Sequence, residues 1–298
     1  MKNKGLIFVL FTAIISGCSI FLNQFGVKGI DSTVFTFMKN SIVALFLLGI
    51  IVGFSEFRHL KKLSKKEWLT LVSIGLIGGS IPFVLFFRGL QLSGGAVGSF
   101  VHKTMFIMVA VLAVVFLREK LSKRIFIPMV LLLIGNYLLL KIGKFEFNAA
   151  ALLILAATMF WAVENVISKR ALKTIEPRVL AFGRLFFGSL FIMAYMLVTG
   201  KFTMIFTINV AQFSWILLSA PFLLFYVITW YTGLKHVKVT TATSILLLGS
   251  PITTLLSFAF LGKMVDIMQL FGIVLILSGI VSMILFMEKK DYSTISIA

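Results

Sequence analysis

Five ionisable side chains lie within long apolar stretches of the sequence, and they are the first candidates for chemistry. They are Lys39, His102, Lys103, Glu164 and Arg184. An ionisable group inside a membrane span costs at least about 2.5–3.5 kcal/mol on insertion scales, so such a group is by default a candidate for a functional site. The residue types indicate binding of charged groups rather than covalent catalysis.

Lys103 is the cation with the least obvious partner, because the spans of its own half of the chain contain no acidic side chain. Two interpretations stay open. The ammonium either snorkels outward to the membrane surface, or it faces a wet cavity and binds an anionic group such as a carboxylate or phosphate. The neighbouring His102 could titrate near neutral pH and couple a proton, or it could be a packed, hydrogen-bonded histidine. Lys39 lies close enough to a span end to snorkel.

Glu164 and Arg184 predict an ion pair between consecutive spans, because each lies a similar distance from the inner end of its own span. The pair either neutralises itself and fixes packing, or it is a gate that breaks during a transport cycle. A buried pair is weak evidence for stability, since desolvation can exceed the Coulomb gain. Asn165, next to Glu164, is a candidate for the same polar lining. We therefore predict substrate binding or gating by Lys103, His102, Glu164, Asn165 and Arg184.

Enzyme chemistry finds no support in the sequence. The three histidines, His59, His102 and His236, lie in different segments, so they predict no metal site. A Walker-type phosphate loop is absent from the sequence, which argues against ATP-driven pumping by this chain. We predict no catalytic residues, no cofactor and no metal.

The elements that must position these residues are transmembrane helices. The 298 residues are 60% hydrophobic and 13% charged, whereas soluble chains are about 45–50% apolar and 25% charged. Windows of about 17–25 apolar residues can cross the bilayer core as helices. Ten such windows are present, at 5–24, 33–54, 68–87, 97–117, 125–140, 149–168, 179–199, 213–234, 240–261 and 267–287. Helix interruptions are expected at Pro82, Pro128, Pro221 and Pro251.

The net charge of +18 is better explained by membrane topology and anionic lipids than by nucleic acid. With the amino terminus inside, the inner loops carry about three times as many Lys and Arg residues as the outer ones. We therefore predict a multi-pass protein of the cell membrane with both termini cytoplasmic. An alternative for the start is a lipoprotein signal ending at Cys18, which the repeat described next argues against.

The chain matches itself at an offset of 144 residues. Gly89-Leu90 aligns with Gly233-Leu234, and Gly135 aligns with Gly279. This predicts two five-helix units, residues 1–144 and 145–298. Because five is odd, the second unit begins on the opposite side of the membrane, and the repeats are inverted. Inverted repeats are a recurring plan of secondary transporters.

These features resemble the drug/metabolite transporter superfamily, specifically proteins with two EamA-type repeats. The resemblance rests on segments 231–236, 240–248 and 272–279, on Pro251 and Phe260-Leu261-Gly262, and on 116–120 in the first copy. Lys263 stands where that family usually has Glu, and His102-Lys103 is not part of its general pattern. The resemblance implies export of amino acids, related metabolites or hydrophobic cations.

The sequence thus predicts an all-α integral membrane protein of ten transmembrane helices in two inverted repeats. The predicted function is a secondary transporter that moves a small, potentially anionic metabolite by alternating access, in the export direction. A lipid or lipid-linked sugar flippase and a non-transporting receptor or assembly protein are the alternatives. The expected partners are a small-molecule substrate and the lipid bilayer, without nucleic acid; a homodimer stays open.

Overall fold

The computed structural model describes residues 2–27, 29–54, 56–93, 95–141 and 148–292, and within these ranges it contains helices and connecting turns without a β-strand. The α-helices are α1 (Lys2–Gly26), α2 (Ser32–Gly53), α3 (Phe57–Lys61), α4 (Lys65–Gly79), α5 (Ile81–Ser93), α6 (Gly95–Lys103), α7 (Met105–Leu117), α8 (Phe126–Leu139), α9 (Ala149–Ala171), α10 (Pro177–Val198), α11 (Val210–His236), α12 (Val239–Ile245), α13 (Gly249–Leu261) and α14 (Ile267–Tyr292). Short 3₁₀ helices cover Lys123–Ile125, Lys201–Thr207 and Leu246–Leu248.

Nine helical stretches of the described chain are long and apolar enough to cross a membrane. They are Asn3–Gly26, Ser32–Gly53, Lys65–Leu90, Gly98–Leu117, Ala149–Ala171, Pro177–Val198, Val210–His236, Val239–Leu261 and Ile267–Phe286. The remaining predicted span, 125–140, contains α8, which has 14 residues. At 1.5 Å per residue α8 is about 21 Å long, shorter than the hydrocarbon core. The protein is therefore a multi-helix membrane protein, and a count of ten spans stays a prediction.

Prolines mark helix starts more often than helix breaks. Pro82 and Pro128 lie in the first turns of α5 and α8, and Pro251 lies in the first turn of α13. The first turn tolerates proline, because its amide groups have no partner within the helix. Pro221 is the exception, since α11 continues through it from Val210 to His236.

The helix bounds of the two halves correspond under the 144-residue shift. This shift places α7 (Met105–Leu117) on α13 (Gly249–Leu261) at both ends, and α2 lies within one residue of α10. A break precedes α7 and α13 in the same register, at Thr104 and at Leu246–Leu248. The division at residue 144 falls within 142–147, which lies outside the described residues.

Equivalent helices of the two halves run antiparallel where they touch. Asp31, before α2, pairs with Lys201, after α10, at 2.7 Å, and Glu56, after α2, pairs with Arg178 at the start of α10 at 2.6 Å. Burial raises the pKa of Asp31, but hydrogen bonds from Lys201 and the Thr33 amide outweigh burial and lower the pKa below its ordinary value. The ends of α2 and α10 are thus tied head to tail, as an inverted repeat requires.

The contacts between the halves are also reciprocal. Helix α1 packs on α11 and α13, while its counterpart α9 packs on α5 and α7. Helices α8 and α14 pack on each other, with Gln269 Nε2 donating to the Leu139 carbonyl at 3.1 Å. Such paired exchanges are expected when a pseudo-twofold axis relates two halves. The interior between them is where the candidate residues collect.

Candidate functional site

A stripe of polar side chains runs along one face of α9 from its middle toward its carboxyl end. It consists of Trp161, Glu164, Asn165, Ser168 and Lys169, spaced at i, i+3, i+4, i+7 and i+8. This spacing places all five on a single helical face. The first four are buried, with Glu164 only 1% exposed. A buried polar face on a membrane helix requires hydrogen-bond partners from its neighbours.

Glu164 is the centre of this polar network. Its Oε1 accepts hydrogen bonds from the Ser168 hydroxyl at 2.6 Å and from the Tyr231 hydroxyl at 2.8 Å. Its Oε2 has no hydrogen-bond partner among the described residues, although the atom is buried. One carboxylate oxygen is therefore satisfied by hydroxyl groups, while the other faces the guanidinium of Arg184.

Arg184 lies beside Glu164, as the sequence predicted, but the two do not form a close ion pair. The separation between Arg184 Nη1 and Glu164 Oε2 is 4.0 Å. Arg184 instead donates from Nη1 to the Tyr231 hydroxyl at 3.2 Å and from Nη2 to the Gly78 carbonyl at 3.2 Å. Tyr231 therefore bridges the two charges, accepting from Arg184 and donating to Glu164.

Tyr231 and Gly78 are functional candidates that sequence reasoning missed. The Gly78 carbonyl accepts from both Arg184 and the Trp161 indole, the latter at 3.1 Å. A Cβ at position 78 would lie 2.9 Å from Glu164 Cδ, so only glycine leaves room for the carboxylate. The sequence signal for Tyr231 is its place in an apolar span, because a buried phenol needs a hydrogen-bond partner.

Trp161 connects this network to His102. The His102 ring lies 4.7 Å from the Trp161 ring and 5.3 Å from the Phe86 ring, both edge-on. Its Nδ1 is buried and has no hydrogen-bond partner in the ranges that the structure describes. Asn165 donates to the Trp161 carbonyl at 2.8 Å and approaches the Met105 sulfur at 3.8 Å. Four of the five predicted residues thus belong to one connected cluster.

Lys103, the fifth, is the last residue of α6, directly before the break at Thr104. Its side chain is partly buried, and no hydrogen bond or ion pair joins it to the described part of the chain. Lys39 is similar, since its Nζ lies 4.7 Å from the centre of the Phe35 ring without a carboxylate partner within the same ranges. Two ammonium groups therefore lie within spans without a negative partner from those residues.

The segment that carries Lys103 is less enclosed than its counterpart in the second half. Ser99, Phe100, His102 and Lys103 are all partly exposed. The equivalent positions of the second half, Thr243, Ser244, Leu246 and Leu247, are all buried. The two ends of the bundle are thus packed to different degrees. The described residues contain no group of three potential metal ligands.

A bundle of apolar helices with two corresponding halves and buried charges between them is the architecture of a membrane transporter. The chain belongs to the EamA-like transporter family, whose model matches residues 3–141 and again residues 148–285.

Among its relatives is the uncharacterized transporter YyaM of Bacillus subtilis (strain 168), 23% identical over 99% of this chain and 98% of the relative. An uncharacterized transporter from the cobO 3' region of a Sinorhizobium species is 25% identical over 41% of this chain and 86% of its own length. A protein of known crystal structure shares the fold, with a TM-score of 0.77 and 17% identity over 95% of this chain and 96% of that one.

Proposed function

We propose that this transporter is a secondary carrier that exports a small anionic metabolite by alternating access. The observation that carries the proposal is Lys103, an ammonium group within a span that has no partner among the described residues. Burial of an unpaired ammonium is costly, so a function that supplies a transient negative partner explains its presence. A carboxylate or a phosphate of the substrate provides that partner.

The charge balance inside the spans supports an anionic substrate. Away from the span ends, Lys39, Lys103 and Arg184 are cations, while Glu164 is the one acidic side chain in the described spans at comparable depth. Arg184 is already engaged by Tyr231 and the Gly78 carbonyl. The excess positive charge therefore lies with the two lysines, and His102 next to Lys103 adds a buried nitrogen available for a further hydrogen bond.

Alternating access is supported by the antiparallel, reciprocal contacts of the two halves. If the halves exchange conformations, the enclosed end of one becomes the open end of the other. The looser packing around α6 than around α12 fits one such asymmetric state. In this proposal the α6 side is the open side in this conformation, through which the exported substrate leaves Lys103, and the Glu164–Tyr231–Arg184 network closes the path toward the other side. Export is the direction that the family resemblance implies.

The test is a ligand screen on purified, detergent-solubilised protein, read as thermal stabilisation. The probes are amino acids, dicarboxylates, phosphorylated metabolites, hydrophobic cations, lipids and lipid-linked sugars. A ligand at 100 times its Kd stabilises the folded state by about 2.7 kcal/mol. We expect anionic probes to raise the Tm of the wild type and of the control variant Lys263→Gln, but not that of Lys103→Gln. Lys263 is the matched control because it is an exposed lysine outside the spans.

Compounds that raise the Tm then go into proteoliposome counterflow assays. Saturable exchange of the same anion supports a carrier, whereas binding without flux supports a receptor. Stabilisation only by hydrophobic cations, or an unchanged response in Lys103→Gln, contradicts the anion site. Stabilisation only by lipids or lipid-linked sugars would favour a flippase.

A further inference from the structure

The turn between α11 and α12 is held by two charged side chains from other parts of the chain. Only Val237 and Lys238 separate the two helices, so carbonyl groups at the end of α11 and amide groups at the start of α12 lack helical partners there. Lys169 Nζ donates to the carbonyls of Leu234 at 2.6 Å, Lys235 at 3.2 Å and Val237 at 2.7 Å.

Glu119 binds the other side of the turn, at the start of α12. Its Oε1 accepts from the Val239 amide at 2.9 Å, and its Oε2 accepts from the Thr240 hydroxyl at 2.9 Å. Glu119 follows α7 in the first half of the chain, whereas Lys169 ends the polar stripe of α9 in the second half. The turn is therefore hydrogen-bonded to one side chain from each half of the chain. Each of these hydrogen bonds involves a charged group and is stronger than a hydrogen bond between neutral groups.

The position of the turn makes these bonds relevant to access. A Cβ at Gly5 would lie 2.7 Å from His236 Cβ, so the turn packs against the start of α1. All seven residues of α12, from Val239 to Ile245, are buried. Movement of α12 away from α7 at this end would open the interior, and it would have to break both hydrogen bonds to Glu119.

At the opposite end of the bundle, the positions that correspond to Lys169 and Glu119 carry side chains of different chemistry. Under the 144-residue shift, Lys169 corresponds to Phe25 and Glu119 corresponds to Lys263. The Phe25 ring stacks on Trp215 with centroids 5.8 Å apart, and Lys263 is exposed. A phenyl ring cannot donate to carbonyls, and an ammonium cannot accept from an amide.

We propose that Lys169 and Glu119 form a charged latch that keeps the end of the carrier next to the start of α1 closed, and that this latch opens when the substrate site turns to that side. The inference rests on the proposed alternating access. The test of the latch uses no substrate, so its result does not depend on whether the proposed anionic substrate is correct.

The experiment measures how fast a buried cysteine behind the latch reacts. Cys18 is replaced by serine, and Ala242→Cys places a reporter thiol on α12, where Ala242 is 0% exposed. The full-length protein in lipid nanodiscs is labelled with a charged, water-soluble maleimide. We expect Glu119→Ala and Lys169→Met each to raise the labelling rate of this reporter thiol at least tenfold. Glu119→Gln gives a smaller increase, because its amide oxygen can still accept from the Val239 amide.

Two controls separate opening from unfolding and from general charge effects. Lys141→Met removes an exposed ion pair with Asp266 outside the turn and leaves the rate unchanged. A separate reporter, Ala157→Cys, lies 0% exposed on α9, twelve residues or about 18 Å from Lys169. Its labelling stays slow in every latch variant that remains folded.

The charge swap Glu119→Lys with Lys169→Glu distinguishes the latch from a simple ion pair. The swapped side chains cannot accept from the amide or donate to the carbonyls, so labelling stays fast although opposite charges are restored. If Glu119→Ala and Lys169→Met both label at the rate of the parent protein, which carries the α12 reporter and an intact latch, the proposal is overturned. Labelling that is accelerated equally by Lys141→Met, or slow labelling in the charge swap, would also overturn it.

Discussion

At the scale of single residues, the charge of Glu164 is stabilised by hydroxyl groups rather than by close contact with a guanidinium. Tyr231 and Ser168 share one carboxylate oxygen, and Arg184 approaches the other only to 4.0 Å. The Arg184 Nε is also buried without a partner in the described part of the chain. A pair with unused hydrogen-bonding capacity on both sides can rearrange at lower cost than a bidentate pair. This arrangement is compatible with the proposed gate.

The first prediction concerns the coupling between these two charges. Removal of one charge leaves the other buried without compensation, which costs about 3–5 kcal/mol. We therefore expect Glu164→Gln and Arg184→Met each to lower the Tm of the purified protein strongly. The double variant should be more stable than the sum of the two losses predicts, with a coupling of about 0.5–3 kcal/mol. Thermal unfolding in detergent provides the measurement.

The exposed pair Lys141–Asp266 serves as the control, because both side chains are about half exposed. Exposed ion pairs contribute little, so Lys141→Met and Asp266→Asn should leave the Tm unchanged within error. Additive losses for Glu164→Gln and Arg184→Met would show that the two charges do not interact.

The sequence was sufficient to predict that Glu164, Arg184 and Asn165 lie near one another, because matched depth in consecutive spans limits where charges can meet. It was not sufficient to identify Tyr231 or the Gly78 carbonyl as partners. Those contacts join α9 and α10 to α11 and α4, and they depend on helix packing between segments that are distant in the sequence. Whether Lys103 and His102 bind substrate stays a prediction.

At the scale of helices, α4 and α10 cross at backbone contact next to the site. A Cβ at Gly188 would lie 2.8 Å from Gly79 Cα, and a Cβ at Gly79 would lie 2.9 Å from Gly188 Cα. Small residues allow membrane helices to approach in this way. Because Arg184 is one turn before Gly188 on α10, and Gly78 precedes Gly79 on α4, this crossing sets the distance between the guanidinium and the carbonyl.

The second prediction compares glycine substitutions in two helices. Gly188→Ala forces the added methyl group against backbone, which cannot give way as a side chain does, and overpacking costs about 1–3 kcal/mol. Gly49 lies on α2 with nothing within 4 Å of a Cβ, so Gly49→Ala gains helix propensity of up to about 1 kcal/mol. We expect the Tm of Gly188→Ala to fall and the Tm of Gly49→Ala to stay unchanged or rise. A Gly188→Ala protein as stable as the wild type would contradict close backbone contact at this crossing.

The sequence predicted the helices well and their ends less well. Each of the ten apolar windows contains helix in the structure, because the absence of water leaves the backbone no alternative. The break at Ser80 lies two residues before Pro82, where an interruption was predicted, whereas the break at Thr104 was not predicted. At both, a hydroxyl bonds the preceding helix, from Ser80 to Leu76 and from Thr104 to Val101, and such local competition leaves no trace in hydrophobicity.

At the scale of the whole molecule, the two halves correspond in their helices but not in the polar side chains that those helices carry. Glu164, Tyr231 and Lys169 of the second half correspond to Ile20, Phe87 and Phe25 of the first. The 144-residue repeat therefore predicts the architecture but not the site. A symmetric scaffold with asymmetric polar groups can have two end states of unequal energy, which gives a carrier a preferred resting conformation.

The last prediction concerns the orientation of this asymmetric molecule in the membrane. The connection between α7 and α8 contains Arg118, Lys120, Lys123 and Arg124, whereas the connection between α10 and α11 contains Lys201 as its one basic residue. Because Lys and Arg in short loops favour the cytoplasmic side, alkaline phosphatase should be inactive when it is fused after residue 298 or inserted at residue 122. It should be active after residue 200, and a fluorescent protein should give the inverse pattern. Activity at residues 122 and 298 with none at residue 200 would reverse the orientation, and the Lys169–Glu119 latch would then control the outer rather than the cytoplasmic entrance.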